Sequence, residues 1–141
     1  MGRDVLIRPY KDADESFVVA LWRDTLADPS PRNDPALSIR KKMEAGGDLF
    51  LVADVVGAVV GTVMGGYDGH RGWVYSLAVR EQYRRQGIGR ALLRHLEAAL
   101  AERGCLKVNL QVRTDNAIVV GFYQALGYSV EERVSMGKRL Y

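Results

Sequence analysis

The stretch Trp73-Val74-Tyr75-Ser76-Leu77-Ala78-Val79-Arg80-Glu81-Gln82-Tyr83-Arg84-Arg85-Gln86-Gly87-Ile88-Gly89-Arg90-Ala91-Leu92-Leu93 contains the change of periodicity that decides the fold. Its first seven residues are apolar at nearly every position, as in a central strand covered on both faces. A basic turn follows. From Gly87 to Arg103 the residues Ile88, Ala91, Leu92, Leu96, Ala99 and Leu100 then share one face of a helix, closed by Gly104. Such a turn aims the unpaired N–H groups of the first helical turn, and the positive end of the helix dipole, at whatever sits before it. Glycines there let a phosphate or pyrophosphate approach closely. The same glycines could instead serve only to pack the helix tightly on the strand.

Outward from this stretch the chain alternates between strands and helices. Asp4–Tyr10 reads as a strand. A helix capped by Asp12 or Asp14 runs to about Leu26, with Phe17, Ala20, Leu21 and Thr25 on its buried face. Residues 27–35 hold Pro29, Pro31 and Pro35 and form a loop. Asp34-Pro35 starts a second helix with Leu37, Ile39 and Met43 apolar, stopped at Gly46-Gly47. Leu49–Val56 and Ala58–Tyr67 are strands joined in a tight turn at Gly57. Leu106–Val112 alternates strictly and predicts a half-buried strand. Asp115 caps a last helix bearing Val119, Phe122, Tyr123 and Leu126, and Tyr128–Tyr141 is mostly strand. The order is β-α-α-β-β-β-α-β-α-β, an α+β (mixed α/β) fold with one mixed sheet and four helices.

At 141 residues, 48% hydrophobic and 26% charged, the chain reads as one globular domain, 1–141. No apolar run reaches the ~18–20 residues of a membrane span, and Met1-Gly2-Arg3-Asp4 does not open a signal peptide. A single cysteine, Cys105, supports neither disulfide nor zinc site and points to a cytoplasmic protein; with only two histidines, no metal is expected. The net charge of +3 is local: Arg80, Arg84, Arg85, Arg90 and Arg94 against Glu81 leave the rest of the chain at −1. That concentration suits one anionic ligand rather than a nucleic acid, for which only Tyr83 would supply an interleaved aromatic. The turn lacks the Gly-Lys-Ser/Thr of a Walker A loop. It also lacks the dinucleotide fingerprint, since Leu92 stands where the third small residue belongs and no acid ends the next strand.

Arg84-x-x-Gly87-x-Gly89, with the apolar strand before it and Ala91-Leu92-Leu93 after it, resembles the acetyl-coenzyme A loop of the GNAT superfamily of N-acetyltransferases. Asn116, seven residues before Tyr123, with Leu126-Gly127-Tyr128 beyond, resembles that family's second signature, with Val119 where alanine is usual. Gly65-Gly66-Tyr67-Asp68-Gly69-His70-Arg71-Gly72 is similar to the YpeA-type branch. The resemblance implies a sheet splayed at a bulge and acetyl-CoA as co-substrate. It implies pantetheine bonded by the backbone of Leu77, Ala78 and Val79, and pyrophosphate held by the N–H groups of Arg84, Arg85, Gln86, Gly87, Ile88, Gly89 and Arg90. Asn116 would touch the pantetheine arm, and Tyr123 would be the catalytic acid facing the coenzyme sulfur.

The expected activity is direct transfer of acetyl from acetyl-CoA to a primary amine in a ternary complex. The alternative is a non-catalytic acyl-CoA sensor. Many members of the family carry a glutamate base on the central strand, but Trp73–Val79 holds no carboxylate, and Trp73 stands where that base would be. Asp68, His70 and Glu81 flank the strand and could act through water. Lacking a strand base favours an acceptor that is partly neutral already, an α-amine of a protein N-terminus or small metabolite, contacted by the loop Asp28–Pro35. A monomer or homodimer is expected, without nucleic acid or membrane as partner.

Overall fold

The computed structural model describes residues 4–26, 28 and 30–141. Contacts gather them into two compact units, the first ending at Gln111 and the second spanning Val112–Tyr141. The first unit holds a five-stranded sheet in the order β1 (Leu6–Pro9), β2 (Phe50–Val55), β3 (Ala58–Tyr67), β4 (Gly72–Val79) and β5 (Val108–Leu110). All neighbours are antiparallel except β4 and β5, which run parallel. β2 and β3 join through Val56 and Gly57, both at positive φ, with Asp54 Oδ1 accepting from the Gly57 N–H.

The helices α1 (Glu15–Thr25) and α2 (Pro35–Gly46) cover one face of this sheet. Val18, Leu21, Trp22 and Ile39 pack there with Tyr10, Phe50, Val52, Met64 and Ala78. The buried face of α1 is therefore Val18-Leu21-Trp22; Phe17, expected inside, is 41% exposed. In α2 only Ile39 is buried, and Met43 lies at the surface. The other face receives α3 (Ile88–Glu102) through Ile88, Leu92, Leu93, Leu96 and Leu100. Close approach is built into β3: a Cβ on Gly65 would lie 2.4 Å from Leu96 Cδ1. Tight packing of helix on strand is thus secured by glycines of the sheet.

At the sheet's β1 edge, Arg8 holds Asp14 by two bonds of 2.8 Å and Asp54 by one of 3.1 Å, tying β1 and β2 to the turn before α1. Asp14 spends its remaining capacity on the Lys11 N–H and does not cap α1. At the opposite edge β5 is shorter than its alternation predicts. It pairs with β4 only from Gly72 to Val74, and Leu106 is almost fully exposed. Alternation marks a residue run that can pair, but a strand needs a neighbour along its length, and β4 offers one only at its beginning.

The second unit contains α4 (Ala117–Ala125). Its cap is Asn116, whose Oδ1 accepts from the Val119 N–H at 3.2 Å, so Asp115 is not the capping residue. Tyr123 is its one buried residue. Beyond Tyr128 the expected strand is not formed: residues 129–141 belong to no regular element, and Val130, Val134, Met136 and Leu140 are exposed. No helix among the described residues is long and apolar enough to cross a membrane.

Candidate active site

The site starts at a fault in the β3–β4 ladder. Thr62 stands opposite Ala78 and Met64 opposite Tyr75, so β4 fits two residues, Ser76 and Leu77, against the single Val63. Ser76 takes a φ of +54°, which marks the bulge. The pairing of β4 with β5 has already ended at Val74. Leu77 therefore has no partner residue on either side, whereas Ala78 and Val79 remain in register with Thr62 and Gly61. The Val79 carbonyl accepts from Arg84 Nε at 3.0 Å, which folds the basic turn back onto the strand end.

The turn itself runs through a short 3-10 turn at Glu81–Tyr83, extended Arg84, and Arg85 at φ +63°. Gly87 is the N-cap of α3 at φ +82°, and its carbonyl accepts the first helical bond, from the Ala91 N–H at 3.0 Å. A Cβ on Gly87 would meet nothing within 4 Å, so this glycine serves backbone conformation and access, not packing. No side chain caps α3, whereas α2 is capped by Asp34 and α4 by Asn116. The first-turn N–H groups of α3 thus face outward beside exposed Arg84, Arg85, Gln86 and Arg90. That arrangement offers an anion N–H donors, a dipole end and cations on one turn.

The positive charge is distributed more narrowly than a count of arginines suggests. Arg80 pairs with Asp24 at 2.9 Å and Arg94 with Glu97 at 2.8 Å. Among the described residues Arg84, Arg85 and Arg90 make no ion pair; Arg84 gives its Nε to the Val79 carbonyl, which leaves Arg85 and Arg90 as the uncommitted cations. Of the groups flanking the strand, Asp68 is committed. Asp68 Oδ1 accepts from the His70 and Arg71 N–H groups at 2.7 Å, which hold its carboxyl below the usual range. Trp73 is half-buried. His95 is exposed on α3 with Nδ1 against the Ala91 carbonyl, and Cys105 Sγ donates to the Lys107 carbonyl. No cluster of metal-binding side chains exists among the described residues.

Two further features were not read from the sequence. Buried Thr62 accepts from Trp22 Nε1 at 2.8 Å and donates to the Ser76 carbonyl at 2.9 Å. A threonine inside an apolar strand was the available signal. Lys42 donates to the Gly65 carbonyl and to the Tyr75 hydroxyl, and no pattern announced that contact.

A cavity of about 350 Å³ lies beside the loop expected to meet the acceptor, lined by Trp22, Arg23, Asp28, Ser30, Asn33 and Asp34 among others. Pro29 of that loop, and Ala27 before it, lie outside the described residues.

In the second unit, Tyr123 is 8% exposed, edge-on to Phe122 at 5.1 Å and to Tyr128 at 5.6 Å. Its hydroxyl makes no hydrogen bond among the described residues, and burial pushes it up to about 12. Asn116 keeps its Nδ2 donors while Oδ1 caps the helix.

The profile of the Acetyltransferase (GNAT) family matches residues 14–128. The chain belongs to that family. Acetyltransferase YE1169 of Yersinia enterocolitica (serotype O:8 / biotype 1B) is 46% identical over 136 residues, 95% of this chain and 94% of the relative. Ard1 from Thermoplasma volcanium superposes with a TM-score of 0.80 at 30% identity, covering 90% of this chain and 84% of that one. The aminoglycoside N-acetyltransferase AAC(6')-Iy, in complex with CoA, also reaches 0.80 at 18% identity, with 100% and 98% covered, a likeness of fold. This GNAT chain is an acyltransferase that uses acetyl-CoA as co-substrate.

Proposed function

We propose that the chain transfers acetyl from acetyl-CoA to a primary amine by direct attack, with the pyrophosphate held on the turn Arg84–Arg90. The observation that carries the reading is the uncapped start of α3, opened by left-handed Gly87 with unpaired Arg85 and Arg90 beside it. The resemblance assigns the N–H groups of Arg84, Arg85, Gln86, Gly87, Ile88, Gly89 and Arg90 to phosphate. The register favours Leu77, among Leu77, Ala78 and Val79, as the free backbone of the bulge.

In the reaction a neutral amine attacks the thioester carbonyl, forming a C–N bond and an oxyanion. The oxyanion collapses, the C–S bond breaks, and coenzyme A leaves as a thiolate while the nitrogen passes its proton to solvent water. The Leu77 N–H is our donor to the oxyanion. Tyr123 is our donor to the sulfur. A phenol pushed up to about 12 is protonated at neutral pH, but full transfer to a thiolate of ordinary pKa near 8.5 is uphill by roughly 3–4 units. Tyr123 therefore acts as a hydrogen-bond donor to the leaving thiolate. Asn116 would reach the pantetheine arm through Nδ2.

The acceptor is an α-amine in this reading. β4 carries no carboxylate, and Asp68 is taken up by its own turn. At pH ~7.4 deprotonating a lysine costs about 4 kcal/mol and an α-amine under about 1 kcal/mol. The second unit would complete one acetyltransferase domain with the first, which the family match across residues 14–128 supports. A thiol-release assay with acetyl-CoA over a panel of amines tests the function. Saturable release with at least one amine is expected; coenzyme A binding without release for any amine would favour a sensor.

A further inference from the structure

The Trp22–Thr62–Ser76 chain of hydrogen bonds has no part in the roles described above, yet it ends on the bulge that the reaction needs. Thr62 is 0% exposed and Trp22 4% exposed, so both polar groups are sealed in the core. The indole N–H can only donate, so the Thr62 oxygen must accept from it. The one hydroxyl hydrogen is then committed to the Ser76 carbonyl, at 2.9 Å. The direction of the chain is fixed by chemistry. Its end point is the strained residue: Ser76 holds φ at +54°, a conformation that a non-glycine keeps only where its surroundings enforce it. Ser76 and Leu77 together make the bulge. The start point matters too, because Trp22 lines the cavity beside the loop 28–35.

We propose that Thr62 is a positioning residue for acyl transfer: backed by Trp22, its hydroxyl pins the Ser76 carbonyl and so keeps the Leu77 amide out of the strand ladder, where it can meet the thioester oxygen. This rests on the functional reading above. A backbone donor set by a bulge needs its strand held to a fraction of an ångström, and small misplacements cost rate rather than binding. Thr62 touches neither coenzyme nor acceptor. Its removal should spare the phosphate turn, which lies on the other side of β4's end.

The test uses the full chain in three variants, with CoA as the binding probe and the best amine of the panel as acceptor. Thr62→Val keeps the shape and removes the hydroxyl. We expect kcat to fall by roughly 10–100-fold while CoA affinity and the KM for acetyl-CoA stay within about twofold. Thr62→Ser retains the hydroxyl and should recover most of the rate. Thr62→Val turning over like the unaltered chain, or Thr62→Ser as slow as Thr62→Val, would reject the relay. If Thr62→Val fails to fold, Trp22→Phe decides: a loss of about three- to tenfold in kcat with unchanged CoA affinity supports the relay, and an unchanged kcat rejects it. Absence of thiol release from the unaltered chain would instead reject the functional reading.

Discussion

At Tyr123, burial and the missing hydrogen bond set the chemistry together. Burial of the residue, whose ring lies edge-on to Phe122 and Tyr128, pushes the hydroxyl up to about 12, so it stays protonated at neutral pH. Tyr123→Phe keeps the ring and removes the donor. The rate should fall about 10–100-fold with CoA affinity little changed, below the ~10²–10⁴-fold of full general-acid catalysis because in this proposal the proton is shared and not passed. Steady-state thiol release measures it. Because the phenol loses its proton only near 12, no descending limb in kcat below pH ~11 should come from this residue. Full turnover in Tyr123→Phe would leave Tyr123 a packing residue. Tyr123 was legible as a site candidate through its spacing from Asn116. Asn116 was legible as a site candidate but not as the cap, since Asp115 is an equally good capping residue by type and only the geometry of α4 separates them.

Among the elements, the strand–turn–helix unit was readable because it changes period within a few residues, and its boundaries hold: β4 ends at Val79 and α3 starts at Ile88. Partnership was not readable. That Arg80 is paired depends on Asp24, which lies on α1, and the shortness of β5 shows only in where its pairing with β4 ends, at Val74. Two predictions belong here. Arg85→Ala with Arg90→Ala should weaken CoA binding roughly tenfold or more and flatten its dependence on salt, read by titration at two ionic strengths. Substituting the already paired Arg94 should do little. The second concerns β1, β2 and the turn before α1. The Arg8 guanidinium holds the Asp14 carboxyl below its ordinary 3.8. A depressed carboxylate contributes stability that is present above the unfolded pKa and lost as pH falls through the folded one. Acid unfolding should therefore show a component below pH ~4 that Asp14→Asn removes. That variant should also lose about 2–3 kcal/mol near neutral pH, because Arg8 keeps only Asp54. Denaturant melts at both pH values decide it.

For the molecule as a whole, the fold class and the turn between β4 and α3 followed from sequence because apolar periodicity and glycine spacing are local properties. Residues 129–141 have a strand's alternation without a strand's neighbour, and so mislead. The acceptor preference is likewise a property of the whole molecule, since it depends on which carboxylates are committed elsewhere. Matched peptides, one with a free N-terminus and one with a blocked terminus and a single lysine, should differ in kcat/KM in favour of the free terminus near neutral pH. Preference for the lysine peptide, with a rate flat between about pH 7 and 9, would require an internal base and contradict the assignment. The central claim is that the start of α3 holds the coenzyme. Calorimetric titration of coenzyme A into the unaltered chain and into Gly89→Val tests it most directly. The account predicts one saturable site per chain, strongly weakened in the folded variant, where a branched side chain occupies the first helical turn at the phosphate position. Equal affinity in the two proteins would contradict it.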